Sequence, residues 1–310
     1  MDAQLAAGTA LAVDIGGTKL AAGRVSTGGE LLDRATVATP AGTGAAGDAE
    51  RLWRSLAELV GRVRRGDEVV CGVGCGGPMS PDGETVSPLN IPAWRGFPLR
   101  ARLAQLTGLP VHVDNDAKAL ARGEGWVGAA RGETDYIAMV VSTGVGGGIV
   151  VDGRLLDGAS GNAGHIGHVI VEPDGPRCGC GARGCLEAVA SGSAIRAATG
   201  GHPADAPDDV RRRAGMHVGR AIASVVALLD LRLAAVAGSV ALGYGDPFFT
   251  AAREELAARA RLSYARGAGI VPAGLGEDGP LVGAAAVGWH GIGHRDPPRS
   301  RRRGVRETRW

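Results

Sequence analysis

Three cysteines and a histidine stand close enough in the chain to share one ion. Residues 161–187 read GNAGHIGHVIVEPDGPRCGCGARGCLE, with Cys178, Cys180 and Cys185 inside eight residues and His168 ten residues before the first. Gly179, Gly181 and Gly184 let the backbone turn tightly enough for several donors to face one point. Three thiolates and one imidazole complete a tetrahedral shell, the donor set of a structural zinc site. A disulfide fits less well, because three thiols leave one over and the Cys178–Cys180 spacing is short for a bridge. The other alternative is a Gly-rich loop of reduced thiols that hold nothing.

A second chemistry is written in glycine. The apolar run Leu11-Ala12-Val13 enters Asp14-Ile15-Gly16-Gly17-Thr18-Lys19, and Leu20 to Val25 continues as a strand. Glycines at such a turn let backbone N–H groups approach a phosphate, and Thr18 and Lys19 add a hydroxyl and a cation. Asp14, at the strand end, is placed to hold magnesium through water. The spacing is not that of a Walker loop, and a plain β-hairpin turn accounts for Gly-Gly equally well. The pattern recurs where strand 136–142 meets Thr143-Gly144-Val145-Gly146-Gly147-Gly148 and continues through Val151. Two such hairpins, about 130 residues apart, suggest a duplicated nucleotide-binding unit.

Stepping outward, Val111-His112-Val113-Asp114-Asn115-Asp116 is a buried strand feeding a helix near Ala117. Asp116 is either the N-cap of that helix or a carboxylate at the corner where α/β proteins put reactive groups. The loop from Ser87 to Trp94, restrained by two prolines, offers Asn90 to a sugar hydroxyl or is a packed connection. Apolar spacing predicts helices over 49–65, 187–199, 214–229, 247–261 and 281–289, and strands over 69–74, 233–237 and 270–271. Gly238-Ser239-Val240 is a third small-residue turn.

At 310 residues the chain suits two domains, and its 53 glycines lack a collagen period. The net charge of +2 misleads, because residues 294–310 hold seven Arg against Asp296 and Glu307. That tail is +5, so the rest is −3 and has no electrostatic reason to bind nucleic acid. Residues 1–10 read as a loose leader and 294–310 as a disordered basic tail. No signal peptide or membrane span is visible, and the cysteines all read as reduced or metal-bound, so a cytoplasmic location is expected.

Together these motifs resemble the ROK family of sugar kinases and repressors. Asp14 to Lys19, Asn115-Asp116-Ala117, Thr143 to Gly148, Gly167-His168 and CGCGARGCLE occur in the family's order, across about residues 10–290. The resemblance implies an actin-like, ribonuclease H-like fold of two α/β domains. These would be residues 1–117, joined by a returning helix at about 280–293, and residues 118–279 with the metal loop 165–187. It implies ATP phosphates, with magnesium, at Gly16, Gly17, Thr18, Lys19, Thr143, Gly144, Gly146 and Gly147, and adenosine near Gly238 and Ser239. Sugar contacts would fall to Gly77, Asn90, Asn115, Asp116, His165, His168 and Glu187. Asp116 would be the base that takes a proton from a hydroxyl, O6, attacking the γ-phosphate, and the metal ligands would be His168, Cys178, Cys180 and Cys185. A homodimer is usual for the family.

Three positions depart from the family pattern: His165 replaces a Glu, Lys118 an Asn and Ser142 a Gly. A carboxylate accepts from two hydroxyls, whereas a neutral imidazole accepts once and donates once. The expected activity is therefore 6-phosphorylation of glucose or an amino-glucose such as kanosamine. The alternative is an N-acetylmannosamine or N-acetylglucosamine kinase. A transcriptional regulator of the family would need a DNA-binding domain ahead of Asp14, and only 13 residues precede it.

Overall fold

Alternating residues of the first strand face two different layers. The computed structural model describes residues 8–42 and 47–294. Strand β1 (Thr9–Ile15) turns Leu11, Val13 and Ile15 to one side and Ala10 and Ala12 to the other. The large side chains meet helix α1 (Asp48–Val63), whose Leu52, Leu56, Leu59 and Val63 form one apolar stripe. The alanines meet a helix from the far end of the chain. Strand pairing carries β1 two residues further back than expected, through Thr9↔Ser26. The rest of the expected leader and the basic tail after His294 lie outside the described residues.

The remaining elements of the first half are β2 (Lys19–Ser26), β3 (Leu31–Ala38), β4 (Glu68–Cys75), α2 (Leu99–Thr107) and β5 (Val111–Asn115). Helix α3 (Asp116–Trp126) follows. The second half comprises β6 (Tyr136–Val141), β7 (Val145–Val151), β8 (Arg154–Leu155), α4 (Leu186–Ala190), α5 (Gly192–Thr199), α6 (Asp208–Leu229) and β9 (Leu233–Ala237). It ends with α7 (Ser239–Tyr244), α8 (Asp246–Arg259), β10 (Gly269–Pro272) and α9 (Gly279–Gly291). The two sheets run β3-β2-β1-β4-β5 and β8-β7-β6-β9-β10. In each, three antiparallel strands are followed by two that join in parallel. The two halves are thus wound identically, which is the actin-like arrangement, and the Gly-rich turns occupy equivalent places, before β2 and before β7.

Strand β3 and helix α2 are not visible in the apolar pattern. The expected helix over 187–199 is two helices, because Ser191 is extended (φ −71°, ψ 157°) and its hydroxyl accepts from the Ala194 N–H at 3.1 Å. Helix α6 begins at Asp208, six residues before the expected start, with Asp208 and Asp209 in its first turn where the helix dipole favours them.

Helix α3 touches both sheets. On one side Leu120 and Ala121 pack with Tyr136, Ala138 and Val150 of the second sheet. On the other, α3 crosses α9, and α9 lies on β1 and β4 with Leu281, Ala284, Ala285 and Trp289. The expected division at residues 117 and 118 falls in the first turn of α3. The fully buried Glu124 holds the return path, accepting from Ala129 N–H at 2.7 Å, Gly274 N–H at 2.9 Å and Leu275 N–H at 3.1 Å. Among the described residues no helix is long and apolar enough to cross a membrane.

Close approach of α9 to β4 is possible only because residue 72 lacks a side chain. A Cβ on Gly72 would run into the Ala284 carbonyl and the Gly288 N–H. Gly72→Ala is therefore expected to cost about 2 kcal/mol or more, since backbone on both sides must shift. Thermal melting should show it as a drop of several degrees. An unchanged melting temperature would mean that α9 can lift off the sheet freely.

Candidate active site and metal centre

The carboxyl-bearing corner is built by one asparagine. Asn115 is the N-cap of α3, its Oδ1 accepting from the N–H groups of Ala117 at 3.0 Å and Lys118 at 3.4 Å. Asp116 is thereby the first residue of the helix rather than its cap. With its carbonyl used by the cap, Asn115 still has its amide nitrogen, which lies 3.7 Å from where a side chain on Gly77 would begin. Asp14, at the end of β1, faces the same spot. A Cβ on Gly74 would sit 3.6 Å from an Asp14 carboxylate oxygen and 3.6 Å from the Asp116 Cα.

Burial raises Asp14 to about 7, the Asp116 charge adding to the rise and Lys19 opposing it. Asp116 keeps a surface open to solvent, yet protein crowds it from behind. That desolvation raises its carboxyl, with the Ala117 N–H and the nearby His165 working the other way. Two carboxylates this close, with Lys19 near Asp14, form a site that a divalent cation would complete. A cation beside Asp14 would keep it ionised.

The first Gly-rich turn meets the Asn90 loop. Gly16 N–H donates to the Lys19 carbonyl at 3.0 Å, and Thr39 of the β3 end donates its hydroxyl to the Gly16 carbonyl at 2.7 Å. A side chain on Gly17 would collide with Asn90, only 2.7 Å from its Cβ. Asn90 is exposed at the tip of a loop held from below by Trp94, which is buried and stacks on Phe97 at 4.3 Å.

In the second turn, Thr143 and Gly144 occupy the bend, and Ser142 N–H closes it on the Gly144 carbonyl at 2.9 Å. Gly146 and Gly147 lie beyond it in β7. Their missing side chains make room for Ala117 Cβ at 3.1 Å and Ile166 at 3.1 Å, so packing explains both glycines. Gly238 (φ 100°) passes against Val141, and the Ser239 hydroxyl pairs with that of Ser142 at 3.0 Å. Ser142, one of the three departures, thus joins the second turn to the third. Glu187 does not stand free, since its Oε2 accepts from the Val145 N–H at 2.9 Å.

The cysteine loop closes on itself. Donor atoms of His168, Cys178, Cys180 and Cys185 all lie within 4.8 Å of one another. Cys180 and Cys185 sulfurs are 3.7 Å apart, and His168 Nδ1 is 3.7 Å from Cys178 Sγ. A tetrahedron of zinc–sulfur bonds of about 2.3 Å has edges of about 3.8 Å, so the donors fit this ion. All five cysteines are free of disulfides. With Nδ1 toward the sulfurs, His168 presents its ring 6.1 Å from that of His165. Helix α6 braces the loop from behind, Arg220 donating to the Val171 carbonyl at 2.9 Å and the buried His217 facing Glu172 at 3.6 Å.

Lys118 is another of the three departures. It is buried, with its ammonium 2.6 Å from Asp157, 3.4 Å from Asp114 and 3.3 Å from the Gly161 carbonyl. It therefore ties helix α3 to the loop that leads into His165. Thr39 was missed because β3 was missed. Its only sequence signal is a hydroxyl close after an alternating stretch.

Two halves of one topology, a Gly-rich turn in each and a carboxylate between them define an actin-like protein equipped to handle a phosphate ester. The family model of the ROK family matches residues 10–289, and the chain belongs to that family. It is 34% identical to the glucokinase of Thermotoga maritima, over 89% of this chain and 96% of that one. It is 40% identical to the N-acetylmannosamine kinase of Escherichia fergusonii, over 76% of this chain and 85% of that one. Among solved structures, the ROK family glucokinase of Streptomyces griseus, in complex with glucose and AMPPNP, is similar with a TM-score of 0.77 and 32% identity. The match covers 91% of this chain and 100% of that one.

One zinc per chain is expected on elemental analysis of protein purified without added metal. Cys180→Ser should lose it, and because such binding is coupled to folding of the loop, chelation should lower the melting temperature. Metal-free protein of unaltered stability would mean that the four donors are merely neighbours.

Proposed function

We propose that the chain is an ATP-dependent hexose kinase that phosphorylates the 6-hydroxyl of glucose or an amino-hexose. The observation that carries this reading is Asp116: relieved of capping by Asn115, open to solvent, raised by burial and set beside Asp14 and His165. A carboxylate so raised is a better proton acceptor. Asn115 and His165 lie beside it, and in this reading they, with Gly77, Asn90 and His168, meet the sugar hydroxyls. Glu187 has one oxygen committed to Val145 and offers the other.

In this reading the turn of Gly16, Gly17, Thr18 and Lys19 and the turn of Thr143 and Gly144 hold the phosphates, with Gly238 and Ser239 beside the nucleoside. Gly146 and Gly147 support the second turn from within β7. Magnesium bound with ATP, near Asp14, neutralises charge on the phosphate oxygens. Asp116 accepts the proton of O6 as O6 bonds to the γ-phosphorus. The bond from that phosphorus to the β–γ bridging oxygen breaks, and ADP leaves with its electron pair. Lys19 and the turn N–H groups meet the charge that develops. Zinc has no part in this transfer and shapes the loop that carries His168.

The second half of the proposal concerns the sugar. His165 supports a modified hexose, since a neutral imidazole donates from one nitrogen and accepts at the other, and so takes a hydrogen from one hydroxyl where a carboxylate takes two. The 40% identity to an N-acetylmannosamine kinase supports the same class.

Asp116→Asn is expected to lower kcat by on the order of 10³-fold or more while sugar and ATP still bind; near-normal turnover would leave Asp116 a helix residue without chemistry. A panel of glucose, glucosamine, kanosamine, N-acetylglucosamine and N-acetylmannosamine, read as kcat/KM, should favour an amino or acylated sugar. His165→Glu should move the preference toward glucose by about tenfold. If glucose already leads and the substitution changes nothing, His165 has no part in choosing the substrate.

A further inference from the structure

The segment that leaves the metal loop is also the segment that holds the second Gly-rich turn. Cys185 is the last of the four donors, and Leu186 begins α4 directly after it. Two residues on, Glu187 Oε2 accepts the Val145 N–H at 2.9 Å and lies 2.9 Å from where a side chain on Gly144 would begin. At the start of α5, Gly192 N–H donates to the Ser142 carbonyl at 2.7 Å and Ser193 N–H to the Thr143 carbonyl at 3.2 Å. The bend is therefore gripped at residues 142, 143 and 145 by a stretch of nine residues that starts at a metal ligand. The first Gly-rich turn is held differently, by Thr39 and by contact with Asn90.

We infer that the metal centre sets the affinity for the phosphate donor, and that Glu187 is the positioning residue which transmits it. The metal fixes Cys185. Cys185 fixes the first turn of α4, and Glu187 in that turn holds Val145, so that the N–H groups of the second bend converge on one point. Without the metal, Cys180 and Cys185 lose their common partner, and the base of α4 keeps only its backbone bonds and packing, among them Leu186 N–H to the Val169 carbonyl at 2.9 Å. An anchored charged acceptor on a backbone donor is among the stronger hydrogen bonds, so the grip on the bend is substantial. The inference rests on the kinase reading above, and adds to it a link between two sites that the residues alone present as separate.

Binding of Mg·AMPPNP without sugar, measured by calorimetry, tests this apart from turnover. Glu187→Ala is expected to weaken binding about tenfold, the loss that follows removal of one acceptor to a charged group. Glu187→Gln, whose amide oxygen can still accept from Val145, should stay within about threefold. Stripping the metal from the wild type should weaken binding by a factor like that of Glu187→Ala, and stripping it from Glu187→Ala should add little. Circular dichroism accompanies each sample, and if stripping unfolds the chain, the Ala and Gln variants decide alone. Nucleotide binding that is equally tight in folded Glu187→Ala overturns the inference and leaves the kinase reading intact. A wild type that binds no Mg·AMPPNP overturns both, and a wild type that binds nucleotide but phosphorylates no hexose removes the sugar reading only.

Discussion

Helix α3 can sit between the two sheets only because its neighbours yield space at backbone level. A side chain on Gly148 would meet Ala121 at 2.7 Å and the Lys118 Cα at 2.9 Å, and one on Gly123 would meet Gly283 at 3.0 Å. On the α9 side, a side chain on Gly283 would be 2.6 Å from the Ala119 carbonyl. Packing at this distance leaves little freedom for the helix to rotate or slide. The helix begins at Asp116, so the close contacts along its length fix where that carboxylate stands. A carboxylate at a helix start is only as well placed as the helix, and here glycines on β7 and α9 do the placing.

The same constraint explains what could be read from sequence. Both Gly-rich hairpins, the cysteine loop and the Asn-Asp corner were legible, because each is a short local pattern with its own chemistry. Which residue caps α3 was not, since Asn115 and Asp116 have nearly equal cap preference. Only the geometry separates the capping side chain from the one that faces outward. The break at Ser191 was hidden because apolar spacing continues through it, while the backbone turns aside to bond Ser142 and Thr143. Strand β3 escaped because its alternation is masked: the half-buried face carries Asp33, paired with the exposed Arg65 at 2.7 Å, and the exposed face carries Leu32. Gly146 and Gly147 read as phosphate glycines, and the packing that their lack of side chains also serves, against Ala117 and Ile166, carries no local signal.

Charge is distributed with the same economy. Asp14 and Asp116 stand at the junction of the sheets, where burial raises both and Lys19 moderates the first. Glu124 is fully buried and points into backbone N–H groups, and those satisfy it. One buried carboxylate is a structural clasp because donors surround it. Asp116 accepts from the Ala117 N–H at 2.8 Å but, unlike Glu124, keeps a face open to solvent, and carboxyls raised in this way beside one another are the kind of group found at functional sites.

The two departures from the family pattern nearest Asp116 belong to one arrangement. Lys118 is two residues along α3, and its ammonium reaches across to Asp157 and the Gly161 carbonyl. The loop then passes Gly164, whose left-handed conformation (φ 99°) brings it against Gly147, and delivers His165 toward Asp116. A buried ammonium needs partners on all sides, and Asp114, Asp157 and a carbonyl provide them. Asparagine at 118 is shorter and uncharged, and could not span to Asp157 in the same way. An imidazole at 165 is rigid and planar, so it acts on a substrate only if its loop is held in register, whereas a longer, flexible carboxylate can adjust its reach. Lys118 supplies that register. Positions 118 and 165 are therefore physically connected through the loop of residues 157–164.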